Sequence, residues 1–108
     1  PVSWKKRKDN LQNATLIINA TSAGMVGKSR LDLDLSCCSN KSLVYDLVYT
    51  PIETELLKNA KAQGCKVLGG LDMLIAQARP SFELFYNQEP PRNLNVRKKL
   101  IKALDGRL

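Results

Sequence analysis

The chain has 108 residues, with 17 Lys and Arg against 10 Asp and Glu, a formal net charge of +7. Its 44% hydrophobic and 25% charged residues are ordinary globular proportions, enough for one domain with a core, and they argue against disorder; no apolar run approaches the roughly 18 residues a membrane span needs. The absence of His, and three Cys at positions 37, 38 and 65 without a C-x-x-C spacing, exclude His-based catalysis and speak against a Cys/His zinc site or a disulfide framework.

In chain order, Val2 and Trp4 read as the tail of a strand, and Lys5 to Leu11 as a short polar helix. Thr15-Leu16-Ile17-Ile18 is a compact, β-rich apolar run between Asn13 and Asn19, and reads as a buried strand. Residues 20–42 carry Gly24, Gly27 and many Ser and Asn and read mostly as loop; within them Leu31, Leu33 and Leu35 alternate with Asp32 and Asp34, as in a short edge strand or a helical turn. Leu43 to Val48 is a second strand. Pro51 then stands just ahead of an amphipathic helix over 52–63, with Ile52, Leu56, Leu57 and Ala60 on one face and Glu53, Glu55, Lys58 and Lys61 on the other. Gly64 stops that helix and Cys65 to Leu68 is a third strand, broken by Gly69-Gly70. Leu71 to Tyr86 is a second long helix that Pro80 should kink or split, Pro90-Pro91 ends that unit, and Asn95 to Leu108 is a closing amphipathic helix. Strand, loop, strand, helix, strand, helix is an α/β pattern, and the short strands on either side of the 52–63 helix make a parallel β-α-β unit.

The charge is concentrated at the ends. Lys5-Lys6-Arg7-Lys8 stands near the start, and six basic residues with one acid lie from Arg92 onward, while residues 10–91 hold seven basic and eight acidic residues. Phosphate contacts through these ends are one reading and solvated helix faces the other; no aromatic residue interleaves with the basic runs, so no base-stacking platform accompanies them and no nucleic-acid partner is expected. Asp32 and Asp34 are paired carboxylates, but no other site group supports them as an acid–base pair. Cys37-Cys38 reads as a loop pair without catalytic meaning.

In an open parallel sheet, ligands sit beyond the carboxyl ends of the strands. Three motifs fall at such ends. Asn19-Ala20-Thr21-Ser22, running into Gly24-Met25, follows the first strand; Asp46-Leu47-Val48-Tyr49-Thr50-Pro51 closes the second; Gly69-Gly70-Leu71-Asp72-Met73-Leu74, with Gln77 beyond it, closes the third. If the strands are parallel, all three share one rim, which implies a ligand crevice without specifying a reaction. On the residues alone, Tyr49 is equally a strand-end tyrosine with its hydroxyl in water, Gln77 a surface helix residue, Gly69-Gly70 an ordinary turn and Met73 a core residue.

These motifs carry a resemblance. LIINATSAGM, followed about twenty residues on by YDLVYTPIETELLKNAKAQGCKVLGGLDMLIAQARPSFELF, resembles the carboxy-terminal part of shikimate dehydrogenase over about residues 2 to 88, and the last helix resembles that family's closing helix. The resemblance implies the second half of a Rossmann-like, mostly parallel sheet with flanking helices over residues 1–88, then a linker and closing amphipathic helix over 89–108. It implies an NADPH-dependent, reversible reduction of 3-dehydroshikimate to shikimate. Asn19, Ala20, Thr21 and Ser22 would flank the cofactor near its nicotinamide half, with Leu47, Gly70 and Met73 as further cofactor contacts and Tyr49 and Gln77 as substrate contacts. Gly70 would let backbone approach the nicotinamide with no Cβ in the way.

The resemblance also marks what this sequence does not carry. No G-x-G-x-x-G turn is present, the family's basic loop that reads the 2′-phosphate has no counterpart, and no Lys or Asp matches the catalytic pair of the family's amino-terminal substrate domain. NADP is therefore the expected cofactor with NAD left open, and the chain alone is expected to be inactive. A start at Pro1 suits either a processed Met-Pro terminus or a piece of a longer protein, and the resemblance favours the second. No leader pattern suggests secretion, and three cysteines without a framework suit a reducing cytoplasm. Half of a doubly wound sheet leaves an open strand edge, so self-association through it is a further expectation. Quinate and aminoshikimate dehydrogenases are the rival readings within the enzyme class; a small basic interaction module is the rival outside it.

Overall fold

A computed structural model describes residues 1–106. It divides into two compact units, Pro1–Gly70 and the chain from Leu71 onward. The first unit is built on three four-residue strands, β1 (Leu16–Asn19), β2 (Leu43–Asp46) and β3 (Lys66–Gly69), in the order β1-β2-β3, all parallel. The expected parallel β-α-β unit is present as β2, α2 (Glu55–Ala62) and β3.

Helix α2 starts three residues later than its apolar pattern predicts, because Thr54 is its N-cap: the Thr54 hydroxyl accepts from the Leu57 N–H at 3.4 Å. Glu55 lies in its first turn and Lys61 in its last, each suiting the helix dipole. Gly64, at φ +78°, supplies the left-handed residue that ends the helix and turns the chain into β3.

One face of the sheet carries the core. Ile17 from β1 and Val44 from β2 pack with Leu56 and Ala60 of α2, with Leu35 and with Cys65; Leu11, Leu31, Leu33 and Val67 close the margin. Hence β1 is not the fully buried strand its composition predicts: Ile17 and Asn19 are buried, whereas Leu16 and Ile18, pointing to the opposite face, are each 50% exposed. The period of two that places one set of side chains in the core necessarily directs the other set away from it.

Two further expectations are corrected. Val2 and Trp4 are not in a strand; Trp4–Lys6 is a single 3-10 turn leading into α1 (Arg7–Leu11), with the Arg7 guanidinium over the Trp4 ring at 4.6 Å. Residues 31–35 are neither edge strand nor helical turn but irregular chain. Their alternation is nonetheless expressed: Leu31, Leu33 and Leu35 turn to the core while Asp32 pairs with Arg7 and Asp34 with Lys8. An alternating run becomes a strand only where another strand offers a ladder, and here α1 lies alongside instead.

In the second unit, α3 (Gly70–Tyr86) runs as one helix of 17 residues through Pro80, so the proline does not split it. The Gly69-Gly70 pair, expected to break the third strand, does so: Gly69 is the last residue of β3 and Gly70 the first of α3. Phe82 and Tyr86, one turn apart, stack with centroids 4.6 Å apart. Helix α4 (Val96–Asp105) is capped by Asn95, whose side chain accepts from the Lys98 N–H at 2.9 Å. The predicted closing helix extended to Leu108; its last two positions, Arg107 and Leu108, lie outside the described residues. An ion pair between Asp72 and Arg97 ties the start of α3 to the start of α4. No helix among the described residues is long and apolar enough to cross a membrane.

Candidate functional site

The register of the ladder sets the geometry of the rim. Asn19 pairs with Asp46 and Asp46 with Gly69, so the last residues of the three strands lie side by side in one row. The turns that follow β1 and β2, and Gly70 after β3, therefore leave the sheet at one edge, as their spacing predicts.

Asn19 is 5% exposed and its amide is fully engaged. Its Nδ2 donates to the Ala23 carbonyl and to Asp46 Oδ1, both at 3.0 Å, and its Oδ1 accepts from the Thr21 N–H and the Thr21 hydroxyl. The Thr21 hydroxyl in turn accepts from the Ala23 N–H at 3.1 Å. The polar side chains of Asn19 and Thr21 are thus consumed in shaping their own turn, whose outward surface is Ala20, Thr21 and Ser22, all exposed.

Asp46 is completely buried, on the same face as Val44 and Val48. Its Oδ1 accepts from Asn19 Nδ2 and from the Val48 N–H, each at 3.0 Å, and its Oδ2 from the Thr54 hydroxyl at 2.6 Å. No buried side-chain polar atom among the described residues is left without a partner. Sequence reading passed over Asp46 as part of a strand-end motif. The signal was available: two residues after Val44 and two before Val48, it had to fall on the core face, where a carboxylate requires several donors.

Leu47 is half-buried and Tyr49 is 36% exposed. The segment between them is held on both sides. The Val48 N–H is bound by Asp46, and the Thr50 carbonyl accepts from the Val26 N–H at 2.9 Å. Against it lies Gly70: a Cβ there would stand 2.1 Å from the Leu47 carbonyl oxygen and 2.6 Å from its carbon. Position 70 therefore needs glycine to let the Leu47 backbone pass, a reason internal to the fold and additional to any ligand. On α3, Met73 is half-buried and Gln77 exposed, one turn apart and so on one side of the helix.

A cavity of about 220 Å³ opens at the same edge of the first unit, with Gly24, Met25, Lys28, Arg30, Thr54 and Lys58 in its wall. None of these is a site residue chosen from sequence; Arg30 is held there by a two-pronged ion pair with Glu55, both contacts at 2.8 Å. The remaining reactive groups point away from chemistry. Burial pushes the Cys38 thiol up to about 11, leaving it protonated at neutral pH, and Asp32 and Asp34 serve as partners of α1. Among the described residues no group of three or more acidic, Cys or His side chains could hold a metal ion.

Parallel strands covered by helix, with polar and glycine-bearing turns gathered at their carboxyl ends, define a Rossmann-like α/β domain. The sequence and structural relatives agree. Shikimate dehydrogenase (NADP(+)) of Maricaulis maris is 41% identical over 106 residues, 98% of this chain and 38% of that protein. Quinate dehydrogenase from Corynebacterium glutamicum, solved in complex with NAD, superposes with a TM-score of 0.77 at 42% identity, covering 83% of this chain and 32% of that one. Shikimate 5-dehydrogenase from Thermus thermophilus, solved with NADP(H) and shikimate, gives 0.68 at 34% identity, covering 83% and 33%. No family model matches the chain. The chain is homologous to shikimate dehydrogenases over nearly all of its own residues, and it spans about a third of the length of the relatives it matches.

Proposed function

We propose that this chain is the carboxy-terminal part of an enzyme that reversibly reduces 3-dehydroshikimate to shikimate with NADPH, and that it forms the nicotinamide side of the cofactor site. The observation that carries the reading is the single row made by Asn19, Asp46 and Gly69, which brings the first two family motifs and the start of the third to one edge. In this reading residues 1–88 complete the nucleotide domain and 89–108 are a linker and closing helix.

The residues present suit such a cofactor. A nicotinamide ring offers a flat face to small or apolar groups. The rim presents Ala20 and Leu47 beside the hydroxyl-bearing turn of Thr21 and Ser22, and the first turn of α3 carries Met73. When bound, the nicotinamide supplies or accepts the hydride. The chain's own part is orientation: the Asn19 turn and the Leu47 backbone, given room by Gly70, would form the wall that holds the ring. In the first unit the Tyr49 hydroxyl, and in the second the Gln77 amide, would each offer a directional partner to a hydroxylated ring acid, and such partners discriminate against substrates that lack the matching group. No Lys–Asp pair of the family's catalytic type is assigned within these residues. Catalysis then requires the remainder of the parent protein, including its substrate domain, and the 108 residues alone are inactive. NADP is the favoured cofactor by relationship, and NAD is the alternative suggested by the quinate dehydrogenase relative.

The unneutralised part of the basic charge is a solvated surface in this reading, because Arg7, Lys8 and Arg97 already have carboxylate partners. A cytoplasmic enzyme is favoured by three cysteines that are all free thiols. The outer edge of β1, whose single neighbour among the described residues is β2, is where the rest of the parent's sheet pairs; in the isolated chain it is a site for self-association.

The test is a steady-state assay of the full-length protein that carries this chain, with shikimate or quinate and with NADP⁺ or NAD⁺. Turnover of shikimate with NADP⁺, lowered about tenfold or more in kcat/KM by Tyr49→Phe or Gln77→Ala, is the expected result. No turnover of either ring acid with either nucleotide would overturn the reading.

A further inference from the structure

We propose that Asp46 is a positioning residue for Tyr49: its buried carboxylate holds the strand-end segment 47–50 in the one conformation that presents the Tyr49 hydroxyl at the rim. The inference rests on the reading of Tyr49 as a substrate contact. It goes beyond that reading by placing the control of substrate binding on a fully buried side chain.

Three separate pieces of the rim converge on one carboxylate. Asn19 Nδ2, from the end of β1, brings with it the turn through Ala23. The Val48 N–H belongs to the residue immediately before Tyr49. The Thr54 hydroxyl caps α2. Asp46 lies behind the wall of the cavity at this edge with no exposed surface of its own, its oxygens already taken up by neutral donors among the described residues. Tyr49 is then fixed from its other side by the bond from the Val26 N–H to the Thr50 carbonyl. The Leu47 backbone packs directly against Gly70, where no Cβ would fit. A strand end would ordinarily fray; this one is held at positions 47, 48 and 50, leaving the Tyr49 side chain as the projecting group.

Substitutions separate this role from general support of the fold. In Asp46→Asn the amide oxygen takes the place of Oδ1 and keeps the Asn19 and Val48 bonds, while the amide nitrogen faces a Thr54 hydroxyl that must turn its own proton elsewhere. Asp46→Ala removes all three acceptor contacts. The experiment uses the full-length protein and reads two quantities: amide hydrogen exchange at Val48–Thr50, and a double-mutant cycle of Asp46→Asn with Tyr49→Phe in kcat/KM for shikimate.

Exchange at Val48 is expected to quicken at least about tenfold in Asp46→Ala and less in Asp46→Asn. The shikimate KM is expected to rise while kcat changes little. The double variant is expected to fall no more than about threefold below the worse single variant, because both act through one hydroxyl. Multiplicative losses in the cycle, or unchanged exchange at Val48–Thr50 in both Asp46 variants, would overturn the proposal. If Asp46→Ala does not fold, Asp46→Asn decides by the same two readings. A wild-type protein that turns over no ring acid would sink the enzymatic reading and, with it, the role of Asp46 in substrate binding, whereas an active protein with independent Asp46 and Tyr49 effects sinks the positioning role alone.

Discussion

The two faces of the three-stranded sheet are made of similar residues and have different fates. On one, Ile17 and Val44 meet α2 and Leu35 and lose nearly all contact with water; on the other, Leu16 and Ile18 remain half exposed. The strands do not decide this difference, since both sets are apolar and β-branched or leucine. What decides it is where the intervening segments go: α2 crosses the core face and the irregular segment 31–38 lies against it too. Composition marks a strand, but the covering element determines which half of its side chains becomes core.

Gly70→Ala should have the largest effect, because it strikes the strand end that both faces share. The new Cβ meets backbone, not a flexible side chain, and the strand end must move; a loss of about 3 kcal/mol or more is expected in denaturant unfolding of the full-length protein. A melt like that of wild type would show that the Leu47 segment yields easily. Next, truncation at the same depth on either face sharpens the contrast: Val44→Ala should cost about 2 kcal/mol, and Ile18→Ala about 1 kcal/mol, since half its surface is already wet. Equal losses would mean that Ile18 is covered in the native protein. In the isolated chain, Ile18→Lys should reduce self-association measured by light scattering, and a clean monomer before substitution would contradict an adhesive edge.

The smallest effect belongs to the surface pair that moors α1. The Lys8 ammonium, hydrogen-bonded to Asp34 and aided by the Ser36 N–H, holds the Asp34 carboxyl well below the usual carboxylate range. A folded pKa lower than the unfolded one contributes stability that is present above the unfolded value and disappears as pH falls through the folded one. The mooring should therefore persist through mildly acid solution and release only under strongly acid conditions, which carboxylate NMR titration of Asp34 follows. In a Lys8→Ala variant that titration should move back toward the ordinary range, with little change in melting temperature because the pair is exposed.

Most of the first unit was legible because its signals are local. The period of Leu56, Leu57 and Ala60, the glycine at 64 and the short apolar runs on either side specify β2-α2-β3 without reference to distant chain. The same reading failed at Val2–Trp4 and at Leu31–Leu35, where an extended pattern had no neighbouring strand to pair with, a fact held nowhere in the local sequence. At the site, the common rim was legible because parallel strands put their carboxyl ends together. The burial of Asp46 was legible from its spacing to Val44 and Val48, but its partners were not, because Asn19 and Thr54 arrive from 27 and 8 residues away. Asp72 was likewise given no role, and its partner Arg97 lies 25 residues on.

The irregular connection between β1 and β2 bears on the order in which the chain assembles. Leu43 to Gly69 contains two paired strands and the helix between them, closed by short-range contacts, whereas β1 must be brought to β2 across residues 20–42 with no regular element to shorten the path. Loop closure of that kind is compensated only after the ladder and the Asn19–Asp46 bond have formed. The β2-α2-β3 unit is therefore the natural nucleus and β1 a late arrival. The contact that completes the rim is expected among the last to form, which would leave a partly unfolded chain with the β2-α2-β3 part of its core before it has a site.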